Sequence, residues 1–439
     1  MNDTSDLGLR ALEQVYALMM IDAEWSVRSE RSFSWWPKDF AQTVSVTLPV
    51  ESHGLQVCRL TASTPMVEGI PLEPRVFGLI AALNGEYGGG LSALVLDAKG
   101  TLSYVTAANV HEQVLAFVPR IFAVIAAIQA TDAEIRARLL SEVLGGSAIV
   151  TAHPTSGIRT DYDDTLNVIE QLVVPSGQQP SQWVGQEMLD ALALIKPRSL
   201  MAMGDANGIA FELPWGDFSS LVELNPAFEH PRIGNCLHVT LRLPDKASEQ
   251  EMQKLANVLN SVEALPQMLT EFRGAWCISP SEAVTFSVVY PNALFQPGLG
   301  VNIALSMAAR AEWLANLIDP RSREERWEQA QPATFQAIGT EGSRSRAGRG
   351  PDLINMMARA EGRPLYGEPG TLTPTEVAGR IEGAIHRAFQ QIAGEHYEPR
   401  RTISELWEGV RAARAGDVPM LPRSMDRLRS LLTADSDGT

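Results

Sequence analysis

The sequence predicts an α+β protein built from two tandem units with antiparallel sheets, followed by a mostly helical C-terminal extension. Three observations carry that prediction. Ser92–Asp97, the turn Ala98–Gly100, the returning strand Leu102–Thr106 and a long apolar helix from Val110 form one strand, turn, strand, helix module. The same order returns at Trp276–Ile278, Ser279–Glu282, Ala283–Val289 and the Ala-rich run Val301–Ile318. Apolar and polar residues alternate strictly at Thr43–Leu48 and Asn235–Leu243, as a sheet covered on one face requires.

The elements follow in order. Ser5 and Asp6 supply a cap for a first helix whose apolar stripe is Leu9, Leu12, Tyr16, Met19 and Met20. Ser26–Trp36 reads as an edge strand stopped by Pro37, and Thr43–Leu48 pairs with Leu55–Leu60 through the turn Ser52–Gly54. A helix over Glu73–Leu83 stops at Asn84-Gly85, where the glycine is expected in the left-handed conformation of a helix end. The helix from Val110 is expected to bend at Pro119 and to restart at Thr131, which with Glu134 makes a capping-box pattern. Thr151–Thr160, rich in Thr, Pro and Gly, is the junction between units.

The second unit opens with helices at Tyr162–Val173 and Val184–Ile195. Strands follow at Ser199–Met203, Ile209–Leu213, Leu221–Leu224 and Asn235–Leu243, then a helix behind the box Ser248–Glu251. Residues 1–150 and 151–320 thus form two units of the order α-β-β-β-α-β-β-α, the second with an additional leading helix. Residues 321–439 form the extension. Gly339–Gly350 is poor in apolar residues, and helices are expected at Asp352–Ala360, Thr375–Ala393, Ile403–Ala415 and Met420–Leu432.

Charge and cysteine usage narrow the function classes. Residues 1–320 carry 19 basic and 35 acidic residues and residues 321–439 carry 17 of each, so the whole net charge of −16 sits in the body. Such a body repels phosphate backbones, and nucleic acid is not expected as its partner. Cys58, Cys236 and Cys277 are far apart and lie in apolar or alternating segments, the usage of reduced buried thiols. The first residues lack the basic and apolar pattern of an export signal, and no run reaches the roughly 20 apolar residues of a membrane span. A cytoplasmic protein without membrane contact is expected.

The order helix, three strands, helix, two strands, helix, together with the acidic charge, resembles the type III secretion chaperone-like fold that the YbjN family shares. The resemblance covers roughly residues 5–145 and 162–318. It implies units that pair as dimers and bind extended protein segments, so that a tandem chain is a covalent pseudo-dimer. The length of the chain and its C-terminal extension depart from that pattern.

No catalytic motif is present in the sequence. Gly88–Gly90 and Gly145-Gly146 lack the spacing of phosphate or dinucleotide loops and read as turns. His153, Asp161, Asp163 and Asp164 lie close in sequence, but no metal-ligand spacing links them, and acidic residues there favour a helix start. Cys236, His238 and Thr240 share a strand face, which a structural role explains. Trp35 and Trp36 are partner-anchor candidates because adjacent strand residues point to opposite faces. Arg344, Arg346 and Arg349 are candidates for gripping phosphate or an acidic protein face, against the reading of a solvated linker. The expected function is a non-enzymatic protein-binding adaptor or chaperone-like protein, acting as a covalent pseudo-dimer and without a cofactor. A metal-dependent hydrolase at the junction and a structural subunit of a larger assembly are the alternatives.

Overall fold

Two antiparallel sheets, each with helices packed on one face, carry the fold. The computed structural model describes residues 6–52, 54–86, 89–166, 180–215, 218–231, 233–243, 249–266, 268, 270–278, 283–318 and 326. The helices expected beyond residue 350, the arginines at 344, 346 and 349, the box residue Ser248 and the turn Ser279–Glu282 lie outside the described residues. So does all of the helix expected at Tyr162–Val173 beyond residue 166.

The first unit contains α1 (Leu7–Met19), β1 (Ser26–Arg28), β2 (Ser32–Trp35), β3 (Gln42–Val46), β4 (Val50–Ser52), β5 (Leu55–Glu68) and α2 (Pro74–Asn84), followed by β6 (Ala93–Leu96), β7 (Leu102–Val110), α3 (Val118–Leu144) and β8 (Ser147–Ala148). Its strands lie in the order β1-β2-β3-β5-β7-β6, with β4 and β8 each paired to β5. The second unit contains α4 (Gln186–Ile195), β9 (Met201–Asp205), β10 (Gly208–Trp215), β11 (Phe218–His230), β12 (Gly234–Arg242), α5 (Glu249–Glu263), β13 (Ala275–Ile278), β14 (Val284–Pro291) and α6 (Leu299–Ile318). Its order is β9-β10-β11-β12-β14-β13, the same path strand for strand. The first unit has five strands ahead of its middle helix where the sequence suggests three, and the second has four, at the places where the sequence suggests them.

Several local expectations change for identifiable reasons. Ser26–Trp36 is a hairpin, β1 against β2, and not one edge strand. Asp6 caps α1 by accepting the Leu9 amide, but the buried stripe is Leu7, Ala11, Leu12, Val15 and Met19. Met20 takes the left-handed conformation at the helix end and turns outward. Leu48 lies beyond β3 and is exposed, whereas Val44 and Val46 are buried. Gly85 is not left-handed, with φ −98°. Strand β7 continues to Val110, so the long helix starts eight residues later than expected, at Val118. Pro119 sits in its first turn, where its missing N–H costs nothing. The helix does not restart at Thr131, because that hydroxyl donates to the Ala127 carbonyl one turn back. Gly100 closes the β6–β7 turn at φ +77°, where a Cβ would stand 2.4 Å from the Ile70 carbonyl oxygen.

Side-chain devices repeat along with the strand order. Asn84 at the end of α2 donates to the Leu94 carbonyl and accepts the Leu94 amide, clamping β6. Asn260 of α5 makes the same two bonds to Trp276 of β13. Pairing Leu94 with Trp276 makes Tyr104 equivalent to Phe286 through the strand registers. Arg136 of α3 donates to the Tyr104 hydroxyl and faces Glu86 at 3.4 Å, while Arg310 of α6 lies 3.7 Å over the Phe286 ring and pairs with Glu263 at 2.9 Å.

The units meet reciprocally. Helix α2 packs on α5 and β13, and α5 packs on α2 and β6, the pattern of an isologous contact. The core of the second unit accordingly includes Ala81, Leu91, Ala93, Val105 and Ala107 from the first. At the end of α5, Glu263 is fully buried and accepts from Arg310, the Trp276 Nε1 and the Thr270 hydroxyl. From the other unit, buried Arg59 of β5 donates to the Glu263 carbonyl at 2.6 Å and the Thr270 carbonyl at 2.5 Å. Burial pulls the Arg59 guanidinium down to about 10, which keeps it charged at neutral pH.

Replacing either clamp asparagine by leucine orphans a buried amide and carbonyl, at about 1–3 kcal/mol per group. Asn84→Leu and Asn260→Leu are each expected to lower stability by about 2–4 kcal/mol in urea unfolding. A second expectation concerns acid. The hydrogen bond from Arg31 holds the Asp6 carboxyl below its ordinary value. The stability it contributes is therefore full above the ordinary carboxylate pKa and is lost as pH falls through the lowered one. Asp6→Asn is expected to destabilise at pH 7 and to flatten that acid limb in pH-dependent thermal melts.

Candidate functional site

The topology leaves each sheet one outer edge. Strands β6 and β13 come together between the units, whereas β1 and β9 have a strand partner on one side only among the described residues. An unpaired edge is a row of backbone donors and acceptors, and proteins ordinarily blunt it with shortness, charge or covering side chains.

β1 is blunted in all three ways. It is three residues long, and Arg28 pairs with Glu13 of α1 while lying 4.4 Å over the Tyr16 ring. The Tyr16 hydroxyl also bonds the Ser26 hydroxyl at 2.9 Å, tying helix to edge. Among the described residues, β9 has none of this protection along most of its length. Its five residues are Met-Ala-Met-Gly-Asp, with Met203 51% exposed and Gly204 and Asp205 open to solvent. Met201 and Met203 lie opposite Glu212 and Ala210 of β10, and Asp205 opposite Gly208. Gly204 has φ +139°, and a Cβ there would stand 2.2 Å from the Gly208 carbonyl oxygen, so only glycine allows this approach. Helix α4 packs beside β9 and exposes Leu189.

The residues singled out by sequence lie elsewhere. Trp35 is fully buried, its Nε1 donating to Gln42 at 2.8 Å. Trp36 is buried too, donating to the Thr151 hydroxyl at 3.2 Å with the His153 ring edge-on at 4.8 Å. Both faces of β2 are covered at this point, by the first unit's core and by the junction, so neither indole is a surface anchor. The three tail arginines lie outside the described residues.

The junction is a strap laid on the first unit. The Thr151 amide donates to the Asp39 carbonyl, the Asp163 amide to the Pro37 carbonyl, and Arg159 to the Trp36 carbonyl. Lys38 bonds both Glu134 of α3 and the Tyr162 hydroxyl. His153, Asp161, Asp163 and Asp164 do not form one cluster, since Asp161 and Asp163 both pair with Arg159. The His153 Nδ1 accepts the Ser156 amide, and Asp163 accepts Arg159 at 3.0 Å and caps the following turn through the Thr165 amide. Asp161 and Asp164 face solvent. Among the described residues there is no group of three or more His, Cys, Asp or Glu able to hold a metal.

Cys236 and His238 form no dyad. The Cys236 thiol donates to the Phe228 carbonyl, and His238 bonds the Ser287 hydroxyl at 2.9 Å across the sheet. Burial pushes the Cys236 and Cys277 thiols up to about 12 and raises Cys58 as well. The site that sequence reasoning passed over is the β9 edge. Ser199–Met203 is legible as a strand, but its place at the end of the sheet depends on the pairing of six strands. The one local signal is a strand with no Lys, Arg or Pro.

No protein-family model, curated protein or solved structure matches the chain. No helix among the described residues is long and apolar enough to cross a membrane.

The three cysteines are free and buried. With their thiols raised, none is expected to react with a thiol reagent at pH 8 in the native protein, and all three are expected to react after denaturation without reductant. Rapid native labelling of Cys236 would overturn its assignment to the core.

Proposed function

We propose that this chain is a non-enzymatic, chaperone-like protein-binding adaptor, a covalent pseudo-dimer that takes an extended segment of a partner protein as an added strand along β9. One observation carries the reading: of two topologically equivalent outer edges, β1 is closed by α1 and β9 is left open with half-exposed Met203. An added strand gains main-chain hydrogen bonds from the edge and selectivity from its alternate side chains. One set of those side chains lies alongside the Met201 and Met203 row, and the other lies on the face of the sheet where α4 packs. The body's net charge of −16 and Asp205 at the end of the edge favour a segment that is apolar with basic residues. The resemblance to secretion chaperones points to the same kind of ligand.

The test compares the two edges. Met203→Asp places a charge on the open edge and Val27→Asp places one on the closed edge, and both are surface changes expected to leave stability within about 0.5 kcal/mol. A partner captured by the full chain should lose about tenfold or more in affinity with Met203→Asp and little with Val27→Asp. Amide exchange at residues 201–205 should slow in the complex. Unchanged β9 exchange on binding, or loss of the partner with Val27→Asp alone, defeats the reading.

A further inference from the structure

We propose that the contact between the units is heterotypic by construction, so that the partner fitted to one unit's inner surface is the other unit and not a second copy of itself. The duplication predicts like facing like across α2 and α5. At two places it departs from this, and the departures are complementary.

The first is Arg59. The strand registers place Arg59 opposite Asn109 and Cys236 opposite Pro291, and with Tyr104 equivalent to Phe286 these two positions correspond. The first unit therefore presents a buried guanidinium where the second presents a small thiol. Its acceptors are provided asymmetrically too. The clamp residues are 16 apart in the second unit and 10 apart in the first, because α5 runs on past its clamp to Glu263 and the connection from there to β13 is the longer one. Thr270 lies in that longer connection, and its carbonyl and that of Glu263 receive Arg59.

The second is Asn257, three residues before the clamp Asn260; its counterpart three residues before Asn84 is Ala81. Asn257 Nδ2 donates at 2.8 Å to the Phe77 carbonyl of α2 and to the Gln253 carbonyl of its own helix. Ala81 is fully buried in the shared core, so a small residue on one helix meets a polar one on the other.

Pairing two second units sets Cys236 against the Glu263 and Thr270 carbonyls, which lose their donor, and brings two Asn257 side chains to one crossing. Pairing two first units buries two Arg59 guanidinium groups without the longer connection that satisfies them. Unpaired buried polar groups of this kind are costly, whereas the heterotypic pair gives acceptors to both terminal nitrogens of Arg59 and to the Asn257 Nδ2. The interface thereby selects the intramolecular partner over exchange between chains.

The experiment uses the full chain with a protease site placed within residues 167–179, cleaved after folding. The two pieces are expected to co-elute at one to one. Two cleaved preparations, with different tags on the first-unit piece, are then mixed, unfolded in urea and refolded together. Each tagged first-unit piece should recover second-unit pieces and no first-unit piece of the other tag. Pieces that separate on cleavage, or that reassociate with their own kind, overturn the proposal. Arg59→Met in the cleaved chain should weaken association by about tenfold or more, with Arg59→Lys intermediate. Unchanged association with Arg59→Met removes Arg59 from the selection and also overturns it.

Discussion

The buried carboxylate of Glu263 is the constraint on which the second unit and its contact with the first both depend. A carboxylate removed from water without partners is strongly unfavourable, and breaking such a pair typically costs about 3–5 kcal/mol. Here it is met by a two-pronged bond from Arg310, by the Trp276 indole and by the Thr270 hydroxyl. These groups come from α6, β13 and the connection that follows α5, so satisfying one side chain brings four segments to one point. The Glu263 backbone carbonyl, exposed at the helix end, then takes Arg59 from across the interface. A cation at a helix C-terminus also meets the negative end of the helix dipole.

The first unit holds a lighter version of the same arrangement. Arg136 approaches Glu86 at 3.4 Å and donates to the Tyr104 hydroxyl, where the second unit places Arg310 over Phe286. The aromatic position is kept and its polarity is exchanged. In both units a helix arginine links the last helix to the end of the middle helix, which holds the sheet's inner edge between them. The inner edges are thus enclosed where the two units meet.

Those outer edges have been treated differently. In the first unit α1 reaches the edge through Tyr16, Glu13 and Arg28. In the second, the acidic side chain at the start of α4 is spent elsewhere: Glu187 accepts the Gly298 and Gly300 amides at the start of α6. That bond stabilises a helix N-terminus and, among the described residues, leaves β9 without the side-chain ties that close β1. Two unlike outer edges follow from one topology because equivalent helices spend their polar residues on different neighbours.

The sequence by itself determined the class and the order of the elements. The alternation at Leu237, Val239, Leu241 and Leu243 marks a core face, and all four are buried. Asp6 before the first helix and Gly145 after the third act as the stop and start signals their chemistry implies. Both signals are local, resting on side-chain period and backbone conformation, and so survive without knowledge of the partner elements. What only the tertiary structure decided was which positions are covered. Trp36 is buried because a strap more than a hundred residues away lies over it, with Thr151 at its indole nitrogen. Thr131 continues its helix because that face is inside the core and the hydroxyl finds its own carbonyl. The open edge at β9, the Arg59 contact and the Asn257 bridge each join residues whose proximity is set by strand order and by the meeting of two units. Burial and hydrogen-bond satisfaction are properties of pairs brought together by the whole chain, and no local pattern encodes them.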